Sequence, residues 1–274
     1  MYSKSQIEQK FDMHDQNDIL QYIILSSKII ISGISKLKLK ELAGLIFLIS
    51  NFYSKNIFVK KILCCIFHNN IYRHAILEKT VFEKCGFSFN NDFYDAKFIS
   101  VGFVRSIFKG CEFRKTFFYN SCKFIDSAFD SCIFSESIHK RTNISNCKLI
   151  SCKFRGVKFS NVSIDQKTDI IKCELYGSFF SKCYFINSNY LSSNFFSSKF
   201  RGCKFNNLKF GGSDLSQTVF YSNCKFENVD FAGSYLKEAK FVRCTFGDNV
   251  SFKKAKNTTT ITFENCNGVE SIIK

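Results

Sequence analysis

The sequence predicts an all-β solenoid: a rod of stacked square coils, closed at its N-terminal end by an α-helical cap. Three observations lead there. A large apolar residue falls at every fifth position through most of the chain. A small residue stands two places before it. Two long apolar stretches near the start read as helices outside that rhythm.

The rhythm is plain in "RGCKFNNLKFGGSDL", Arg201 to Leu215. Phe205, Phe210 and Leu215 are five apart, and Cys203, Leu208 and Ser213 lie two places before them. Neither the helical period of 3.6 nor the strand period of 2 gives this spacing. A fixed period is the mark of a repeat architecture. The centres run from Leu77 to Phe252, and five steps are six residues long, before Phe93, Phe124, Ile170, Phe226 and Phe252. One centre is polar, His139, where the coil is expected to bulge and turn the ring to solvent.

Two residues before the centres, the small column reads Ala96, Val101, Ser106, Cys111, Thr116 and Cys122, and eleven of the 14 cysteines occupy this place. One large and one small inward residue per five, with polar residues between, makes one flat side. Four sides make a square coil, stacked on the next at the strand spacing of roughly 4.8 Å. The second column must be small because its side chains share a narrow, close-packed interior with the large ones. Nearly nine coils give a rod of roughly 40 Å.

The pattern resembles the pentapeptide-repeat family, whose consensus is A-D/N-L-x-x. The chain has a C/S-K-F variant of it, as in "CKF" at Cys122, Cys152, Cys203 and Cys224, and the match covers about Ala75 to Phe252. The resemblance implies a right-handed quadrilateral β-helix. It also brings in topoisomerase-protecting resistance and immunity proteins that imitate DNA. That mechanism needs a negative surface, and this chain has 39 basic against 23 acidic residues, a formal charge of +16. DNA mimicry is therefore the alternative reading, disfavoured by charge.

The cysteines carry no catalytic pattern. A thiol in an apolar column is a small hydrophobe with a raised pKa, hence inert. Stacked Cβ atoms at the coil spacing are also further apart than the roughly 3.8 Å of a disulfide. No C-x₂-C pair suggests zinc. The four histidines make no triad, and no phosphate-binding glycine loop is present. The expectation is no enzyme, no cofactor and no metal, with free thiols in a reducing compartment. The first 18 residues are polar, with no signal peptide in view.

Residues 1–74 are expected to be a polar start plus the helical cap, and residues 75–274 the β-helix with a closing coil at "NTTTITFENCNGVESIIK". The helical stretches are "DILQYIILSSKIIISGIS" and "LAGLIFLISNFYSKNIFVKKILCCIF". A rod of repeats needs its apolar end covered. The rival is a membrane helix, but Leu42 to Ser54 is only 13 uncharged residues, short of the ~18 needed to span. Lys36, Lys38 and Lys40 in "SKLKLKEL" would meet anionic lipid.

Counting sides in fours separates the charge. The side centred on Phe98, Phe118, His139, Phe159, Phe180, Phe200, Phe220 and Phe241 carries Lys97, Lys140, Arg141, Lys158, Lys182, Lys199, Arg201, Lys240 and Arg243 and no acid. Phe117, Tyr119, Phe179 and Tyr221 share its outer surface, and the other three sides mix both signs. Lysine on a strand edge also discourages association, so a solvated face is the bland reading. The sharper one is a binding face for a polyanion or for an acidic protein. The expected function is a non-catalytic binding scaffold: a bacterial effector or a membrane-associated adaptor. It would have a protein partner, with anionic lipid or nucleic acid reached through the basic side. Its place would be the bacterial cytoplasm, or the host cytosol or membrane surface.

Overall fold

The computed structural model describes the backbone of residues 21–25, 28–32, 36–43, 46–48, 56–63, 65–88 and 90–272, and side chains at 61, 62, 65–88, 90–270 and 272. It is a parallel β-solenoid of about 10 turns. Short strands repeat every coil and pair in parallel with the coils before and after. On the basic side, here side A, Lys97–Ile99 pairs with Ile76–Glu78 and with Phe117–Tyr119. On the next, side B, Gly102–Val104 pairs with Val81–Glu83 and with Lys123–Ile125. Side C stacks Gly86–Ser88, Ile107–Lys109 and Ala128–Asp130. Side D is held by single bridges such as Asp92 to Glu112 and Glu112 to Ile133.

The centre of each unit points inward, and the rings form four ladders. Phe205 lies 4.8 Å from Phe185 and 4.7 Å from Phe226, nearly parallel to both. Within a coil the rings meet edge to face, as Phe200 and Phe205 do at 5.4 Å and 67°, the arrangement the ring quadrupole prefers. The small column lies between the ladders, fully buried. Its members also donate hydrogen bonds. Ser213 Oγ donates to the Tyr190 carbonyl at 2.7 Å, and Cys203 Sγ to the Phe180 carbonyl at 3.5 Å. That is why Ser, Thr and Cys dominate a position where size alone would admit Ala: they donate to backbone carbonyls of centres in the preceding coil.

Nearly every corner is turned by the second residue after a centre, held at positive φ, such as Ser100 at 55°, Arg105 at 50° and Asn207 at 52°; after Phe246 it is the third, Asn249 at 55°. No β-branched residue occupies this conformation among the described residues, as expected where a branched Cβ would clash with its own backbone. Three six-residue steps are absorbed by two left-handed residues in a row, at Asn120 and Ser121, Gln166 and Lys167, and Ser222 and Asn223.

Two expectations are corrected. No α-helix occurs among the described residues, and the described parts of the stretches expected to form the helical cap are mainly strands. Gln21–Leu25 and Lys28–Ser32 form an antiparallel pair. Lys36–Ala43 then pairs in parallel with Asn56–Leu63, with Leu37 opposite Ile57 and Leu42 opposite Ile62, and Asn56–Leu63 pairs onward to Ile76–Glu78 and Val81–Glu83. The coil thus begins by residue 36. Isoleucine-rich runs such as "KIIIS" and "NIFVKK" favour extended backbone, and the register of one coil length offers them partners. The polar start, residues 1–18, lies outside the described residues. No helix among the described residues is long and apolar enough to cross a membrane.

The second correction is His139. It does not turn to solvent but is 1% exposed, stacked between Phe118 and Phe159 as a rung of the ladder. The flat aromatic ring takes the place of a phenyl without a bulge. At the far end, Thr262–Glu264 pairs with Lys240–Val242, and short 3₁₀ turns at Thr258–Thr260 and Val269–Ser271 follow the last full coils.

Candidate functional site

The parallel register of side A brings all thirteen sequence-selected residues onto one face. Just before the centres runs a column of Lys97, Phe117, Ile138, Lys158, Phe179, Lys199, Val219 and Lys240. Just after the centres lie Tyr119, Lys140, Arg201 and Tyr221. Arg141, Lys182 and Arg243 hold the following corner with φ between 53° and 55°. All nine cations are exposed, and the four aromatic residues are half-buried. The Phe117 and Tyr119 rings stack on each other at 5.7 Å.

None of these nine cations is in an ion pair among the described residues. All but one of the pairs lie on the other sides; the exception is Lys79 with Glu78 at 3.4 Å, at the N-terminal end of side A. Lys61 meets Glu83 at 2.9 Å, Arg73 meets Asp92 at 2.5 Å, and Arg155 Nε donates to Glu174 at 2.6 Å. On the most acidic side, D, Asp92, Glu112 and Glu174 are thus each paired with an arginine. Side A carries no acid at its outward positions from Lys97 to Arg243. Its ends are closed by acids that the sequence count stopped short of: Glu78 beside Ile99 and Glu264 beside Val242.

Sequence reasoning also missed two residues. Tyr176 and Phe196 are each 38% exposed and follow the side D centres Leu175 and Phe195 directly. Their column abuts side A across a corner held by Gly177 and Ser197, with φ 63° and 55°. Tyr176 thus stands three residues before Phe179, and Phe196 three before Lys199, around one edge. The Arg155 guanidinium lies 5.2 Å from the Tyr176 ring centre, close enough for a cation–π contact. The signal was legible as aromatics directly after a centre, but counting by sides assigned them to another face.

A polar groove of about 850 Å³ runs along the diagonally opposite corner, lined by Asn146, Asn187, Asn207, Asn228 and Lys209 among others. Its amides bond to one another: Asn207 Nδ2 to Asn187 Oδ1 at 2.7 Å, and Asn249 Nδ2 to Asn228 Oδ1 at 2.9 Å. This is a corner-stiffening ladder, remote from the basic side. No group of three or more His, Cys, Asp or Glu side chains that could hold a metal ion occurs among the described residues.

No family model and no curated protein matches the sequence. Solved structures do resemble it. HetL, a pentapeptide repeat protein involved in heterocyst differentiation regulation from the cyanobacterium Nostoc, is 12% identical over 77% of this chain and 90% of its own, with a TM-score of 0.46. QnrB1, a plasmid-mediated fluoroquinolone resistance protein, is 17% identical over 84% of this chain and 92% of its own, with a TM-score of 0.35. The catalytic unit of an α-1,3-glucanase from Streptomyces thermodiastaticus is 8% identical over 88% of this chain and 61% of its own, at 0.41. The fold rests on the chain's own register, and these likenesses add no activity to it.

Proposed function

We propose that this chain, folded as a pentapeptide-repeat β-helix, is a non-catalytic binding scaffold that holds an acidic partner against side A. The observation that carries the reading is the sorting of charge. Nine exposed cations on one straight face have no acid among them, while on side D Arg114 and Arg155 are paired with Glu112 and Glu174. Exposed charges contribute little to folding, so a face of one sign is better accounted for by attraction of a partner than by stability. The DNA-mimic alternative has no acidic stripe to rest on, because the acids of side D stand among cations, and Asp92, Glu112 and Glu174 are in ion pairs with them. An effector or adaptor working in a reducing compartment, with a protein partner or a polyanion, suits both this face and the buried thiols.

The test is retention on a heparin column against rising salt. Charge reversal at Lys158, Lys182, Lys199 and Arg201 together should release the protein at much lower salt than wild type. The same reversal at Arg105, Lys123, Lys204 and Lys225 on side B should shift elution less. Equal shifts from both variants would reduce the basic side to general solubility.

A further inference from the structure

We propose that the edge between sides D and A, with the adjoining face of side A, binds single-stranded nucleic acid, with Tyr176, Phe179 and Phe196 stacking on bases at the edge and Lys158, Lys182, Lys199 and Arg201 meeting phosphates across the face. This deepens the scaffold reading and rests on it.

The first support is charge. Sequence-independent affinity for nucleic acid comes from cations that replace counterions along the phosphate backbone. Side A offers such cations along a line, Lys158 and Lys199 being two coils or roughly 10 Å apart, with none of them tied to a carboxylate. The second support is that rings interrupt the cations rather than sit apart from them. In the register column Lys158, Phe179, Lys199, a ring separates two ammonium groups. Across the corner, Arg155, Tyr176 and Phe196 form the parallel column. A basic track with interleaved aromatic platforms is the arrangement that holds single strands, because every unpaired base has a face to stack.

The third support is the shape of the edge itself. At the corner between these columns stand Gly156, Gly177 and Ser197. Nothing lies within 4 Å of where a Cβ at either glycine would be, so the edge is open for a strand to lie along it. One coil beyond on either side of this opening, Glu136 and Gln217 occupy the corner, and Glu238 follows. The opening is about 15 Å long at the coil spacing, room for about four nucleotides at the stacked rise of 3.4 Å. Arg155, anchored by Glu174, lies against the Tyr176 ring, which remains 38% exposed. A duplex keeps its base faces to itself and would use only the cations. An anionic membrane would favour protruding apolar side chains, whereas Phe179 lies half-buried on a straight side.

Fluorescence anisotropy with a labelled oligo-dT strand, the same strand in a duplex, and phosphatidylcholine–phosphatidylserine vesicles separates these occupants. Wild type is expected to bind the single strand more tightly than the duplex. Tyr176→Ala, Phe179→Ala and Phe196→Ala together should weaken single-strand binding roughly 100-fold and leave duplex binding within error. Tyr176→Phe with Phe196→Tyr should restore it. Reversing the four cations should flatten the slope of log affinity against log salt by about 3. An unchanged thermal midpoint verifies that the variants are folded. Equal losses for single strand and duplex in the triple alanine variant would overturn the stacking role. Binding to vesicles or heparin without binding to oligo-dT would overturn this inference and leave the scaffold reading standing. Absence of binding to any polyanion would overturn both.

Discussion

His139 lies 4.5 Å from Phe118, ring to ring and 14° from parallel, and Phe159 closes over its other face at 4.8 Å. An imidazole in a phenyl stack has nowhere to put a charge. Its Nε2 meets Ser137 Oγ at 3.0 Å, and its Nδ1 has no partner. Burial lowers its pKa from the ordinary 6.5 to about 3.

Acid should therefore loosen the rod through this residue. The unfolded chain takes a proton on His139 near its ordinary pKa, and the folded chain does not until far lower pH. The contribution is complete above the unfolded pKa and is lost as pH falls from there towards the folded one, by about 1.4 kcal/mol per pH unit. His139→Phe should abolish that loss. Combined with Ser137→Ala it should also stabilise the neutral protein by about 1–3 kcal/mol, because neither a buried nitrogen nor the Ser137 hydroxyl is then left unpaired. Urea midpoints of both proteins, followed from neutral pH to the edge of carboxylate titration, measure this. Parallel lines for the two proteins would assign the acid sensitivity elsewhere.

The same residue shows where the sequence was readable and where it was not. The spacing of Phe205, Phe210 and Leu215 gives the coil directly, because only inward positions repeat with it. His139 obeys the spacing too, yet polarity argued it outward; ring shape outweighs polarity inside an aromatic stack. The opening coil was hidden for the opposite reason. Leu37, Leu42, Phe47, Ile57, Ile62, Phe67 and Tyr72 keep the five-residue step, but the residues between are so apolar that a helix explains them equally well. Tyr176 and Phe196 were visible as residues and invisible as a site, because the site lies across a corner and side-by-side counting divides it.

Removing one rung should be costly. Phe205 has a ring above and below, so Phe205→Ala should destabilise by about 3–5 kcal/mol through lost transfer energy and the cavity left. Cys203→Leu at the neighbouring small position should cost about 1–3 kcal/mol by overpacking. Cys203→Ser keeps a donor for the Phe180 carbonyl and should cost less than either. Chemical denaturation ranks the three, and a neutral Phe205→Ala would contradict the stacking described.

The thiols should be silent until the rod opens. Twelve described cysteines are buried, and Cys266 near the C-terminal end is only partly so. Burial pushes the thiols of Cys122 and Cys147 up to about 11. In native protein treated with a thiol reagent, Cys266 should label first among the described cysteines, with the buried twelve following at the rate of unfolding. Mass spectrometry of the labelled peptides identifies the order. Rapid labelling at Cys122 or Cys203 would mean that the interior is not closed.

The middle of the rod should be its weakest joint. On side B the rings of Phe124 and Phe185 are separated by Ile144 and Ile164, and on side C Phe129 and Tyr190 by Leu149 and Ile170. Side A alone carries an unbroken stack through this region, and its middle rung is His139. The unpartnered buried atoms His139 Nδ1, Thr142 Oγ1 and Asp165 Oδ1 gather here as well. Each coil is stabilised mainly by its neighbours, so a repeat rod divides where neighbouring coils attract each other least. Smaller side chains bury less area than phenyl rings, and unmet polar atoms subtract further. Amide exchange in the strands Asn143–Ser145, Lys148–Ile150, Ser163–Asp165 and Asp169–Ile171 should therefore precede exchange in Gly102–Val104 and Lys123–Ile125 on one side, and in Lys204–Lys209 and Lys225–Asp230 on the other. His139→Phe should slow the central exchange more than the flanking exchange. Exchange that spreads only inward from the two ends, with the central strands among the last to open, would show that aliphatic rungs couple the coils as well as aromatic ones do.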